Sequence, residues 1–144
     1  MPRRSRPSIN RTKIDSSSSI INPTKIDPEA RVSFNFRRLI EKEKKFVYCS
    51  KEVKYFLSLV ERLKDISNFT KKQLVNDHSK SLRFHPIDFK DKSVSENTFD
   101  ILSEDVDDDA WQFSLSSNEY GRVHGYFVDD VFYIVWLDPD HKLC

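Results

Sequence analysis

The sequence predicts an α+β fold: two N-terminal helices packed on one face of a small antiparallel sheet, preceded by a disordered or extended arm. Three observations carry it. Apolar residues recur at helical spacing from Val53 to Ile66, and three alternating apolar runs fill residues 111–137. Residues 1–33 are rich in Pro, Ser and Arg, contain the run Ser16 to Ser19, and sustain no apolar period. A length of 144 residues allows one domain and a tail, so the chain divides into a basic arm at 1–33 and a single domain at 34–144.

Within the arm, Thr12-Lys13-Ile14-Asp15 recurs as Thr24-Lys25-Ile26-Asp27. Two such tetrads are too short for a solenoid and read as local turn chemistry or as short contacts that order on a partner. Phe34, Phe36, Leu39 and Ile40 cluster next, but the charged stretch Glu41 to Lys45 interrupts them and no element is assigned. Phe46-Val47-Tyr48-Cys49 is a short strand candidate that ends at Ser50, a good helix N-cap. A helix over 51–67 follows, with Val53, Phe56, Leu57, Val60, Leu63 and Ile66 as its buried stripe. Thr70-Lys71-Lys72-Gln73 has capping-box spacing and opens a second helix ending near His78. Pro86 makes residues 79–92 a mixed loop or edge segment, and residues 93–110 read as an acidic loop.

Three antiparallel strands close the chain. Trp111, Phe113 and Leu115 alternate with Gln112, Ser114 and Ser116; the second strand runs from Arg122 to Val128 and the third from Val131 to Leu137. Asp129-Asp130 suits a two-residue hairpin, pairing Val128 with Val131, Tyr126 with Tyr133, His124 with Val135 and Arg122 with Leu137. A three-residue loop with Gly121 in the left-handed position pairs Asn118 with Arg122 and Ser114 with Tyr126. One sheet face then carries Trp111, Phe113, Leu115, Val123, Phe127, Phe132, Ile134 and Trp136, toward the helices. The other carries Ser114, Ser116, Arg122, His124, Tyr126 and Tyr133 beside Val135 and Leu137, and is expected to be exposed.

Composition narrows the function classes. No run of eighteen apolar residues exists, and the N-terminal stretch lacks the apolar core of a secretory signal, so a cytoplasmic protein is expected. Cys49 and Cys144 form no CxxC pair and read as reduced thiols. The four histidines have no metal-ligand spacing, and Gly121 and Gly125 are too far apart for a glycine-rich phosphate loop, so neither metal nor cofactor is implied. Net charge is +1, but it is segregated. Residues 1–36 hold seven basic and three acidic groups, residues 37–92 fifteen and eight, and residues 93–144 two and twelve. A polarised molecule of this kind presents a basic surface to phosphate, or simply attracts its own other half.

Arg, His and Tyr on one sheet face suit metal-independent RNA cleavage. Arg122 would stabilise charge on phosphate, His124 and His141 would serve as acid and base, and Tyr126 or Tyr133 would stack on a base, with Ser114 and Ser116 beside them. Cross-strand pairing on an exposed sheet is the alternative reading of the same side chains.

Gly121-Arg122-Val123-His124-Gly125-Tyr126-Phe127 and Val131-Phe132-Tyr133-Ile134-Val135-Trp136-Leu137-Asp138-Pro139-Asp140-His141, set in the order strand, helix, helix, three strands, resemble the RelE/ParE-type toxin superfamily of toxin-antitoxin modules. The resemblance covers about residues 46–144. It implies a small α+β fold whose ribosome-dependent members cleave mRNA and whose other members bind DNA gyrase, with Arg122 and His141 at positions typical of the RNA-cleaving members. Cys144 stands where an aromatic is common, and the arm is extra to a minimal toxin. Expected partners are accordingly RNA or a ribosome and an antitoxin or other protein, with no membrane. The competing expectation is a non-enzymatic interaction protein of the same fold that binds a protein partner through the arm or the exposed sheet face.

Overall fold

A computed structural model describes residues 30–42, 45–77, 79, 82–99, 109–116 and 119–143. The elements are β1 (Ser33–Asn35), α1 (Val53–Ile66), α2 (Lys71–Val75), β2 (His85–Pro86), β3 (Ala110–Ser114), β4 (Arg122–Val128) and β5 (Val131–Asp138). They build one five-stranded sheet in the order β1-β5-β4-β3-β2. The fold class is α+β, with two corrections. The helices follow β1 rather than lying N-terminal to the sheet, and the sheet is mixed, because β1 runs parallel to β5 while the other pairs are antiparallel. Three residues give β1 too little length for a periodic signal, and its pairing is dictated by a strand nearly a hundred residues away. Val32, assigned to the arm by composition, is buried beside it.

Both helices pack on the face formed by Phe113, Val123, Phe127, Phe132, Ile134 and Leu137. Helix α1 presents Tyr55, Leu59 and Ile66, flanked by half-buried Phe56 and Leu63. The predicted stripe was turned too far: Val53, Leu57 and Val60 are 72%, 60% and 60% exposed. Apolar residues occupy more than half the circumference of α1, so periodicity leaves two faces open. The sheet selects the one that carries Tyr55 and lets Arg62 Nε donate to the Leu115 carbonyl at 3.0 Å.

The entry to α1 also departs from expectation. Phe46 to Cys49 is not a strand, since Phe46 adopts a left-handed φ of 42° that no strand accommodates. The Glu41 carboxylate accepts the Tyr48 and Cys49 amides at 2.9 and 2.8 Å, which holds its pKa below the usual range. The Lys51 amide bonds back to Tyr48, so the chain stays irregular and Glu52, without a side-chain cap, replaces Ser50 as the N-cap. The predicted capping box of α2 is present in full. Thr70 accepts from the Gln73 amide and Gln73 accepts from the Thr70 amide. The helix ends at Val75; His78 lies outside the described residues.

The second face of the sheet is covered as well, which corrects the expectation of an exposed face. Phe46, Ile87, Phe99, Ala110, Tyr126, Val135, Trp136 and Leu143 form a second core. Phe46 stacks on Trp136 with centroids 4.6 Å apart, and Phe99 packs against the same indole at 4.9 Å. Over them Glu96 joins Lys42 and Lys45, each at 2.6 Å. Burial works to raise the Glu96 pKa, but the two ammonium groups outweigh it and hold the carboxyl low. Phe99 and half-buried Val94 of the predicted acidic loop therefore contribute to the core; residues 100–108 lie outside the described residues.

Strand registers were legible in part. The Asp129-Asp130 turn pairs Val128 with Val131 and Tyr126 with Tyr133 as predicted, with Asp129 at φ 52°. Beyond it Gly125 faces Ile134 and His124 faces Trp136, so Val135 is an extra, bulged residue. The bulge turns both Val135 and Trp136 to the second face, returns Leu137 to the helix face, and brings Arg122 opposite Asp138. Gly125 permits this approach: a Cβ there would stand 2.1 Å from the Tyr133 carbonyl oxygen. Between β3 and β4 the connection is longer than predicted, pairing Ser114 with Arg122 and Gln112 with His124. The shift is an even number of residues, so the side chains of β3 and β4 keep their predicted faces, whereas Trp136 and Leu137 on β5 exchange theirs. Gly121 does adopt the left-handed conformation, at φ 65°, next to Tyr120 at φ 66°.

Candidate functional site

A cleft of about 440 Å³ opens where the ends of four strands meet. The approach to β2 supplies Arg83, held at φ 47°; the end of β3 and its loop supply Ser114, Ser116, Glu119 and Tyr120. Arg122 enters from the start of β4, and the turn after β5 adds Pro139, Asp140 and His141, the last at φ 57°. Of the residues expected at a site, Arg122, His141, Ser114 and Ser116 are brought together here. Gly121 makes the assembly possible, because a Cβ at this position would lie 1.9 Å from the Asp138 carbonyl oxygen.

Arg122 is held from behind. One guanidinium nitrogen, Nη1, donates to His85 Nε2 and to Gln112 Oε1, both at 3.0 Å. An arginine can only donate, so His85 Nε2 must be unprotonated and the ring hydrogen resides on Nδ1, 3.3 Å from the Pro86 carbonyl oxygen. Burial lowers the His85 pKa, the Pro86 carbonyl opposes that shift, and the charges of Arg122 and Arg83 reinforce it. The ring is therefore neutral at neutral pH. Ser116 uses its hydroxyl within the loop, accepting the Glu119 amide at 2.9 Å and donating to the Glu119 carbonyl at 2.7 Å.

His124, by contrast, does not line the cleft. Its ring is fully buried, edge-on to Phe46 and Trp136, and Nε2 donates to Asp138 Oδ2 at 3.0 Å. Asp138 also accepts the Lys142 and Leu143 amides at 2.7 and 3.0 Å. Burial lowers the His124 pKa and outweighs the opposing carboxylate, whereas the three donors hold the Asp138 carboxyl low against its own burial. The pair is a neutral imidazole on an ionised carboxylate that fastens the C-terminal segment to β4 and β5, so His124 leaves the set of acid and base candidates. Tyr126 and Tyr133 stack on each other, centroids 5.1 Å apart and planes 2° apart, as part of the second core. Tyr126 is buried and offers no platform to a nucleobase.

Arg83, His85 and Gln112 were not anticipated. Gln112 was placed by alternation on the Arg122 face, which was a usable signal. His85 reaches the site only through the pairing of β2 with β3, where it faces Gln112, and two residues of edge strand leave no periodicity to read.

Comparison with family models, with characterised proteins and with solved structures yields no match for this chain. The cleft must be read from its chemistry. Two guanidinium groups from different segments can grip a phosphate, and the imidazole of His141 stands on the same wall system to exchange a proton. Arg83 comes from the basic middle of the sequence, so the acidic C-terminal half does not have to bind phosphate with Arg122 alone.

Proposed function

We propose that the chain is a RelE-like endoribonuclease, the toxin component of a toxin-antitoxin pair, cleaving RNA without a metal. The observation that supports this reading is the convergence of Arg83, Arg122 and His141 on one cleft. In the proposed step the ribose 2′ oxygen attacks the adjacent phosphorus and the bond to the 5′ oxygen breaks. The 2′ proton passes to a carboxylate at the rim, Glu119 or Asp140, and protonated His141 gives its proton to the departing 5′ oxygen. The products are a 2′,3′-cyclic phosphate and a 5′-hydroxyl end, and Arg83 and Arg122 carry the charge that grows on the phosphate oxygens.

Arg122→Ala and His141→Ala are expected to relieve growth inhibition on expression and to lower RNA cleavage in the presence of ribosomes by about a hundredfold or more, with unchanged circular dichroism. A wild-type protein that neither slows growth nor cleaves RNA with ribosomes present ends the proposal.

A second reading, a protein-binding module of the same fold, draws on the exposed stripe Val53, Leu57 and Val60 along α1. The sheet face first considered for this role is covered, and residues 1–29 of the arm, with both Thr-Lys-Ile-Asp tetrads, lie outside the described residues.

A further inference from the structure

We infer that His85 is a positioning residue that aims Arg122 into the cleft, acting as an obligate acceptor in its Nδ1–H tautomer, and that Gln112 is its partner in that task. The inference rests on the phosphate-binding reading of the cleft for its functional consequence, but not for its geometry.

An arginine side chain has several rotatable bonds, and in an open cleft it would sample many directions at an entropic cost whenever it gripped a ligand. Here Nη1 is held by two acceptors on neighbouring strands, His85 Nε2 on β2 and Gln112 Oε1 on β3. Both residues sit opposite each other in the register, so the edge pair β2–β3 sets their spacing before Arg122 arrives from β4. Gln112 is 3% exposed and cannot swing away. With Nη1 occupied from behind, the cleft-lining arginine is already oriented when a phosphate enters, which is the pre-organisation a bidentate contact requires.

The tautomer follows from donor counting. Arg122 must donate to Nε2 and the Gln112 oxygen is taken by the same guanidinium nitrogen. The hydrogen on Nδ1 is left to the Pro86 carbonyl, and the 3.3 Å approach of Gln112 Nε2 to Nδ1 sets donor against donor. The charged groups that face His85 are Arg122 on β4 and Arg83 on its own segment, and both disfavour a second proton on the ring.

The test combines a spectrum with binding. Nitrogen-15 correlation spectra of the folded protein are expected to show His85 protonated at Nδ1 and not at Nε2; the reverse tautomer overturns the inference. Binding of a short single-stranded RNA is then measured for three variants. His85→Phe removes the acceptor and is expected to weaken binding by about tenfold, the worth of one charge-assisted hydrogen bond. His85→Gln places a carbonyl oxygen where Nε2 stood and is expected to remain within about twofold of wild type. Arg122→Ala sets the scale. If Arg122→Ala weakens binding and His85→Phe does not, His85 has no positioning role and the inference fails while the cleft reading survives. If the Nδ1–H tautomer is present but Arg122→Ala leaves RNA binding unchanged, the cleft reading fails and with it any functional role for the aimed guanidinium.

Discussion

Two histidines that a sequence presents alike are separated by what surrounds them. His124 and Arg122 share a face by alternation, and that much was legible. Whether the face is wet depends on Phe46, Phe99 and Leu143, none of which lies on the sheet, and strand alternation carries no information about them. His124 thereby becomes a titratable group that promotes acid unfolding. Its folded pKa lies below its ordinary value of 6.5, so the folded state binds fewer protons than the unfolded chain. The associated stability is complete above that value and is lost as pH falls below it. Asp138, held below its ordinary 3.8, adds a further loss at still lower pH. Urea midpoints measured at pH 8 and pH 5 are expected to fall with acid, and His124→Gln is expected to shrink the difference. Part of the slope should survive in that variant, because the lowered pKa of His85 acts over the same window.

Elements were predicted best where one signal sufficed. The capping box of α2 is a local hydrogen-bond exchange between Thr70 and Gln73, and it appears as written in the sequence. Helix α1 was located but misoriented, because Val53, Leu57 and Val60 satisfy the 3.6-residue period as well as Tyr55, Leu59 and Ile66 do. Urea unfolding distinguishes the faces. Leu59→Ala is expected to cost about 2–4 kcal/mol as a core truncation, whereas Leu57→Ser and Val60→Ser should each stay within about 0.5 kcal/mol of wild type. The register of β4 with β5 was correct from the turn to Tyr126 and failed at the bulge. Gly125 was the available sign of that irregularity, since a glycine inside a strand marks a place where backbones approach too closely for a side chain.

At the scale of the whole molecule, the α+β class and the three C-terminal strands were legible, and the second layer was not. That layer is made from irregular chain: the stretch around Phe46, residues 87–99 and the C-terminal segment, which only tertiary contacts organise. Its clamp is the last of these. Leu143 is buried, its amide and that of Lys142 bond to Asp138, and the Ser95 amide bonds to the Leu143 carbonyl at 2.7 Å. A chain stopped after His141 keeps every residue of the cleft but strips two donors from a buried carboxylate. It is expected to lose about 3–5 kcal/mol, read as a large drop in thermal midpoint.

The position of β5 between β1 and β4 also sets an order in time. Among the described strands the first in sequence, β1, pairs with the last, β5, so β1 waits for nearly a hundred residues of synthesis before its hydrogen-bonding edge is met. Helix α1 likewise has no Phe132 or Ile134 to rest on until then. Such non-local closure is slow to form and leaves apolar surface open meanwhile. The cleft is finished later still, because Pro139, Asp140 and His141 leave the ribosome after the strand that positions them. A nascent copy of this chain therefore has no working site until His141 has emerged: whatever the cleft does begins only once the segment after β5 is made.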